Sequence, residues 1–70
     1  MNINDLKAEI ARNGLSIAKL ADMVGMDKVT LYSRVKGETA FKQPEIAAIA
    51  QALNLSEEEI IRIFFADCVS

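Results

Sequence analysis

The stretch LSIAKLADMVGMDKVTLYSRVKG, residues 15 to 37, decides the fold because it contains two helix starts in close succession. Ser16 and Asp27 are good capping residues, and each follows one apolar residue and stands four positions before another. The capping oxygen accepts a hydrogen bond from a first-turn N–H group, while the two apolar residues pack across that turn. Gly25, between the two starts, can adopt the left-handed conformation that ends a helix. We therefore predict two short helices joined by a tight turn.

These helices, expected over Ile17–Val24 and Lys28–Lys36, are so short and closely joined that they have to cross at a steep angle, as a helix-turn-helix. The residues that carry the arrangement follow the spacing S-x3-L-A-x3-G-x5-L-x5-G, from Ser16 to Gly37. This spacing resembles that of the phage repressor and Cro family (Xre-type) of helix-turn-helix DNA-binding domains, over roughly residues 4 to 65. The resemblance implies an all-α fold, a compact five-helix domain like that of lambda repressor, with the helix-turn-helix at helices two and three.

Periodicity and capping residues predict the other helices. Helix one covers about residues 3 to 12, and we interpret Glu9 on its polar side as an ordinary solvated charge. Helix four is expected over Glu45–Leu53, which has the clearest apolar periodicity in the chain. Pro44 suits the first helical position, so Gln43 is the predicted cap.

Helix five begins with a capping box formed by Ser56 and Glu59. It is too apolar to bury every large side chain on one face, so part of it should form a partner surface. We expect a homodimer, because its two recognition helices can then reach successive major grooves about 34 Å apart. Fraying or self-burial of the C-terminus is the alternative. The predicted dimer surface consists of Ile61, Phe64 and Phe65.

Length and composition limit the classes of protein to consider. Seventy residues, of which 51% are apolar, allow one small globular domain over residues 1–70. No apolar run is long enough for a membrane span and no signal segment opens the chain, so we expect a cytoplasmic protein without membrane contact. The resemblance implies a bacterial cell or a phage-infected bacterium. The lack of room for a second domain favours a Cro-like or antitoxin-like regulator over a full-length repressor.

Catalysis and cofactors are not expected. The chain has no His, and its single Cys68 has neither a second Cys nor a base nearby. No carboxylate pair and no Gly-rich phosphate loop stand out in the sequence. We therefore predict a non-enzymatic protein with no catalytic residue, no metal site, no cofactor and no small-molecule ligand.

The net charge of −2 argues against nucleic-acid binding, but the distribution of charge favours it. Residues 28–42 hold four basic residues and one acidic residue, Glu38, whereas four acidic residues and one Arg follow from Glu57 onward. A basic middle and an acidic tail fit a domain that presents one side to a polyanion. The predicted partner is double-stranded DNA. The alternative is a helical protein–protein interaction module, antirepressor-like or adaptor-like, that uses the apolar helix five.

Helix three is the predicted recognition helix of a DNA-binding transcriptional regulator. One side should face the core through Leu31 and Val35, which turns the opposite side outward. In the resembled family, the first two residues of this helix and the residue a turn later read bases. Lysine can donate to guanine, serine can bond several base edges, and valine can contact a thymine methyl group. The predicted base contacts are Lys28, Val29, Tyr32 and Ser33.

The resembled family also grips the DNA backbone, through the loop after helix three and the helix start that follows it. Unpaired N–H groups and the helix dipole at a helix start can hold a phosphate. The predicted backbone contacts are Ser16, Ile17, Lys36, Thr39, Lys42 and Gln43, with a plain helix cap as the alternative role of Ser16. Arg34 lies to one side of the outward face, so we expect it to contact the backbone or solvent. The family's frequent Gln and Asn are absent from the base-reading positions, which leaves the operator sequence unpredicted.

Overall fold

Five α-helices occupy most of residues 1–65, the part of the chain that the computed structural model describes. They are α1 (Ile3–Arg12), α2 (Ile17–Val24), α3 (Lys28–Val35), α4 (Gln43–Ala52) and α5 (Glu57–Phe64). The predicted all-α, five-helix fold is confirmed, and Cys68 lies outside the described residues. Within residues 1–65, no helix is long and apolar enough to cross a bilayer. The same residues contain no group of three or more His, Cys, Asp or Glu placed to hold a metal ion.

The helix starts around the central turn form as predicted. Ser16 Oγ accepts a hydrogen bond from the Lys19 N–H group at 3.1 Å. One carboxylate oxygen of Asp27 accepts two first-turn N–H groups of α3, at 3.0 and 3.2 Å. Gly25 has a φ of 73°, the left-handed conformation that ends α2. Local residues alone therefore set the geometry of the turn between α2 and α3.

The start of α4 differs from the prediction. The helix begins at Gln43, with Lys42 rather than Gln43 as its N-cap, and Pro44 stands at the second helical position. Glu45 explains the difference, because its Oε1 accepts the Lys42 backbone N–H group at 2.8 Å and so stabilises an earlier first turn. Proline is tolerated there since N–H groups in the first turn have no partner within the helix.

The core receives apolar side chains from all five helices. α2 packs against α3 and α4, and α1 packs against α3 and α5. Leu31 and Val35, on the inner side of α3, are completely buried as predicted. Because burying such a side chain stabilises the fold by about 1.5–3 kcal/mol, this contact determines which side of α3 faces outward. The largest fully buried side chains are Leu6, Leu20, Leu31, Ile49, Ile63 and Val35.

The first residues of the chain are tied both to α5 and to the loop after α3. The Asn2 N–H group donates to the Ile63 carbonyl oxygen at 2.7 Å. Ile3 packs against Gly37, whose φ of 86° is left-handed. A Cβ atom at Gly37 would lie 2.9 Å from Ile3 Cδ1, so another residue there would be strained and would also displace Ile3. The last glycine of the sequence pattern is therefore required by a contact as well as by a turn.

Glu9 is not the solvated charge that we expected. It is only 4% exposed, and its Oε1 accepts a hydrogen bond from Arg12 at 2.7 Å. Arg62 of α5 lies 3.8 Å from the same oxygen and 3.2 Å from Asp5. Glu9 and Arg12 form a pair within α1, but the packing of α5 against α1 adds Arg62, which the spacing of residues within α1 does not reveal.

The expectation that Phe64 belongs to a dimer surface is wrong, because its side chain is buried within the domain. It is 8% exposed, and its ring lies edge-on to that of Phe41, with centroids 5.4 Å apart. Phe41 comes from the loop before α4, far from α5 in sequence. Phe65 is partly buried against the core, while Ile61 remains 48% exposed. Self-burial, the alternative to a partner surface, therefore applies to Phe64.

Phe64→Ala should lower the free energy of unfolding by about 3–5 kcal/mol, because it leaves a cavity beside Phe41. Ile61→Ala, in the same helix, should cost about 1 kcal/mol or less since its side chain is half-exposed. Urea unfolding followed by circular dichroism measures both. Equal losses in the two variants would contradict the assignment of Phe64 to the core.

Candidate nucleic-acid interface

The side of α3 opposite Leu31 and Val35 is open to solvent. Val29 is 72% exposed and Tyr32 is 51% exposed, although both have large apolar surfaces. Lys28 is exposed beside them at the start of the helix. An apolar surface bordered by polar groups is typical of a contact site. The predicted recognition helix therefore presents such a surface, in the orientation that its periodicity predicts.

Residues of α2 and α3 line a shallow hollow of about 310 Å³. Ile17 and Ala18 contribute from the first turn of α2, and Lys28, Val29 and Tyr32 contribute from α3. The structure thus brings together three predicted base contacts and Ile17, a predicted backbone contact. The hollow is apolar apart from the polar ends of Lys28 and Tyr32, so it suits an apolar group more than a phosphate.

Ser33, the remaining predicted base contact, is half-buried and has a partner on the protein. Its hydroxyl donates to Glu38 Oε1 across 3.4 Å, and its carbonyl oxygen accepts the Glu38 N–H group at 3.0 Å. Lys36 is exposed nearby, with Nζ 3.8 Å from the Glu38 carboxylate and 5.2 Å from the centre of the Tyr32 ring. Sequence reasoning missed Glu38 as a partner, because the contact depends on the turn at the end of α3.

Arg34 links the end of α3 to the start of α4. Its Nε lies 2.6 Å from Glu45 Oε1, and its Nη1 donates to Thr39 Oγ1 at 2.9 Å. The same Glu45 oxygen accepts the Lys42 N–H group, so one carboxylate joins α3, the loop and α4. The Arg34 side chain is 13% exposed and points into the protein instead of reaching outward as expected. Arg34 and Glu45 are 11 positions apart, and no local sequence signal connects them.

The predicted backbone contacts lie at two exposed helix starts and in the loop after α3. Ser16 is exposed at the start of α2, and its hydroxyl proton can still be donated while its oxygen caps the helix. Lys42 and Gln43 are exposed at the start of α4. Thr39 is also exposed, although its oxygen accepts from Arg34. Helix starts of this kind attract anions through the helix dipole and their N–H groups.

Arg34 lowers the pKa of Glu45 below its ordinary value of about 4.5, because the hydrogen bond favours the charged carboxylate. Partial burial acts in the opposite direction, and the Lys42 N–H group lowers the pKa further. The folded protein therefore keeps this carboxylate charged at a pH where the unfolded chain takes up a proton. This difference in the pKa of Glu45 between the folded and unfolded states adds to the free energy of unfolding. The contribution is present above about pH 4.5 and is lost as the pH falls through the lowered pKa.

Glu45→Gln should reduce the loss of stability below about pH 4.5, because the amide that replaces the carboxylate takes up no proton. Urea unfolding at a series of pH values measures this effect. In an Arg34→Gln background the same substitution should change the pH profile less, since the main cause of the pKa shift is gone. Parallel pH profiles for the parent and Glu45→Gln would contradict the assignment.

The left-handed turn at Gly25, the two helices that it joins and the exposed side of the second define a helix-turn-helix domain. A protein-family model described as Helix-turn-helix matches residues 6–60. The chain belongs to this family, the Xre/Cro-like group of helix-turn-helix proteins, which confirms the predicted family. Searches among curated proteins and among solved structures found no match. Family membership identifies a DNA-binding regulator of the Xre/Cro kind.

Proposed function

We propose that this protein is a sequence-specific, repressor-like or Cro-like regulator of transcription that binds double-stranded DNA with α3 in the major groove. The observation that carries the proposal is the hollow between α2 and α3, where the exposed Val29 and Tyr32 meet the start of α2. A helix that presents apolar and hydrogen-bonding groups together can read base edges in the major groove. The proposed setting is the cytoplasm of a bacterial or phage-infected cell.

Base reading is divided between the two ends of α3. At the start of the helix, Lys28 donates to a guanine, and Val29 with the hollow receives a thymine methyl group. Tyr32 supplies the far side of the hollow. Ser33 contributes its hydroxyl at the other end, where it now contacts Glu38.

Backbone contacts flank the base-reading residues and fix the register of the protein on the duplex. The exposed start of α2 and the exposed start of α4 offer N–H groups to phosphates. The ion pair between Arg34 and Glu45 holds the loop that carries the other contacts. The residues that we propose for this role are Ser16, Ile17, Lys36, Thr39, Lys42 and Gln43.

Selection of bound duplexes from a random double-stranded pool, at about 0.1 M salt, tests the proposal. An enriched motif supports a sequence-specific regulator. Retention without an enriched motif contradicts sequence specificity and leaves a binder of the DNA backbone. No retention by folded protein contradicts DNA binding and favours a protein–protein interaction module that uses α5.

Val29→Thr should weaken binding to the selected duplex by about 1 kcal/mol. The substitution replaces a methyl group, which the proposed contact with thymine buries in the complex, by a hydroxyl. Replacing the contacted thymine by uracil, which lacks the methyl group, should have a similar effect, and the two changes together should not add. Fluorescence anisotropy measures all four combinations. Met23→Thr, at a 50% exposed position on α2, is the matched control. Full additivity would contradict a contact between Val29 and the methyl group.

We also propose that two copies of the chain form a dimer through Ile61 and Phe65. This dimer binds a two-fold symmetric DNA site. Ile61 is exposed on α5, and Phe65 borders an open, largely apolar cavity of about 440 Å³ that Met1 and Phe41 also line. Phe64, also on the lining of this cavity, belongs to the core and is no longer part of the proposed surface. A two-fold dimer matches half-sites about 34 Å apart.

Ile61→Lys should shift sedimentation toward the monomer, because it places a charge in the proposed contact. Met23→Lys adds the same charge at a similarly exposed position of α2 and should leave the oligomeric state unchanged. Sedimentation velocity, with and without the selected duplex, measures both variants. A parent protein that is monomeric in both conditions would contradict dimerisation.

A further inference from the structure

Glu38 is the one acidic residue among residues 28–42, the segment that consists of α3 and the loop after it. Its side chain is 57% exposed, yet its position is fixed by the fold. Its N–H group donates to the Ser33 carbonyl oxygen at 3.0 Å, after the left-handed residue Gly37. The next residue, Thr39, is held by Arg34. The backbone of Glu38 is therefore part of a defined turn at the end of α3, beside Ser33 and Lys36.

The carboxylate contacts two groups to which the proposed function assigns DNA contacts. Its Oε1 accepts the Ser33 hydroxyl at 3.4 Å and lies 3.8 Å from Lys36 Nζ. Ser33 is a proposed base contact and Lys36 is a proposed backbone contact. A phosphate that approaches Lys36 must therefore come close to a negative charge, and it has to compete with that charge for the ammonium group.

We propose that Glu38 is a specificity-determining residue, whose carboxylate suppresses sequence-independent DNA binding by competing with phosphate for Lys36. Sequence-independent binding consists almost entirely of phosphate contacts, so an acidic group among them weakens it directly. Binding at the operator also includes base contacts at the start of α3, away from Glu38, which fix one register of the domain on the duplex. Sequence-independent binding has no such register and relies on whichever phosphate Lys36 can reach, so the competing carboxylate lowers the sequence-independent affinity by the larger factor. A repulsive element of this kind increases the difference between two affinities while lowering both. The inference depends on the proposed function.

Glu38→Gln provides the test, with affinities measured for the selected duplex and for a scrambled duplex over a series of salt concentrations. We expect the variant to bind the scrambled duplex about five-fold more tightly and the selected duplex about two-fold more tightly. The slope of log affinity against log salt should become steeper by up to about 0.9, because Lys36 then contacts phosphate fully. Glu58→Gln removes the same charge from an exposed position on α5 and is the matched control, with changes below two-fold expected.

A second comparison separates the competition for Lys36 from the effect of net charge on DNA affinity. In a Lys36→Ala background, Glu38→Gln should increase binding to the scrambled duplex less than it does in the parent, because the competing ammonium group is absent. Equal gains in both backgrounds would overturn the proposed competition for Lys36. Equal gains on both duplexes, or equal effects of Glu38→Gln and Glu58→Gln, would overturn the specificity role.

The outcomes also distinguish this inference from the proposed function. The inference alone is overturned if the parent protein binds a selected duplex and Glu38→Gln leaves the ratio of affinities for the selected and scrambled duplexes unchanged. The inference is also overturned if Glu38→Gln weakens binding only to duplexes that carry one particular base pair, since Glu38 would then read a base itself. If neither the parent nor the variant retains any duplex, the proposed function and the inference fail together.

Discussion

The complete burial of Leu31 and Val35 is the constraint on which the outward surface of the domain depends. α3 has only eight residues, and these two are its buried side chains, so they provide most of its packing against the core. At about 0.05–0.15 kcal/mol per residue, a domain of 70 residues is stable by about 4–10 kcal/mol, and exposing either side chain would remove about 1.5–3 kcal/mol of that. The helix therefore has one rotational setting. The outward position of Val29 and Tyr32 follows from the packing on the other side of the helix.

A second constraint, the ion pair between Arg34 and Glu45, joins α3 to α4 through the loop between them. The loop contains no helical hydrogen-bond ladder, and polar side-chain contacts to Thr39 and the Lys42 N–H group determine its shape. The positions of the proposed phosphate contacts Thr39 and Lys42 consequently depend on the charge of Glu45. A core of apolar residues thus orients the proposed base-reading surface, whereas an electrostatic network helps to position the neighbouring loop.

Features encoded within one turn of the chain could be predicted from the sequence, except at the start of α4, where Glu45 stabilises Lys42 as the cap. The capping box is an example, since Ser56 and Glu59 exchange hydrogen bonds at 3.1 and 2.9 Å as expected. Predictions failed where a distant segment decides the environment, as with Phe64, whose partner Phe41 precedes α4, and with Glu9, which α5 covers. The candidate site also contains both predictable and unpredictable features. Helical periodicity places the outward residues of α3, but the contacts of the following loop depend on a turn and an ion pair with no sequence signature.

The contacts of Asn2 with Ile63 and of Ile3 with Gly37 have a practical consequence for handling the protein. The first residues lie between α5 and the loop beside the proposed DNA surface, so they form part of the folded structure. Residues added ahead of Met1, such as an affinity tag, would be attached next to this junction and next to the apolar cavity that Met1 lines. A loss of DNA binding in such a tagged protein would therefore report on the added residues as much as on α3, and the tag should be removed before affinities are compared.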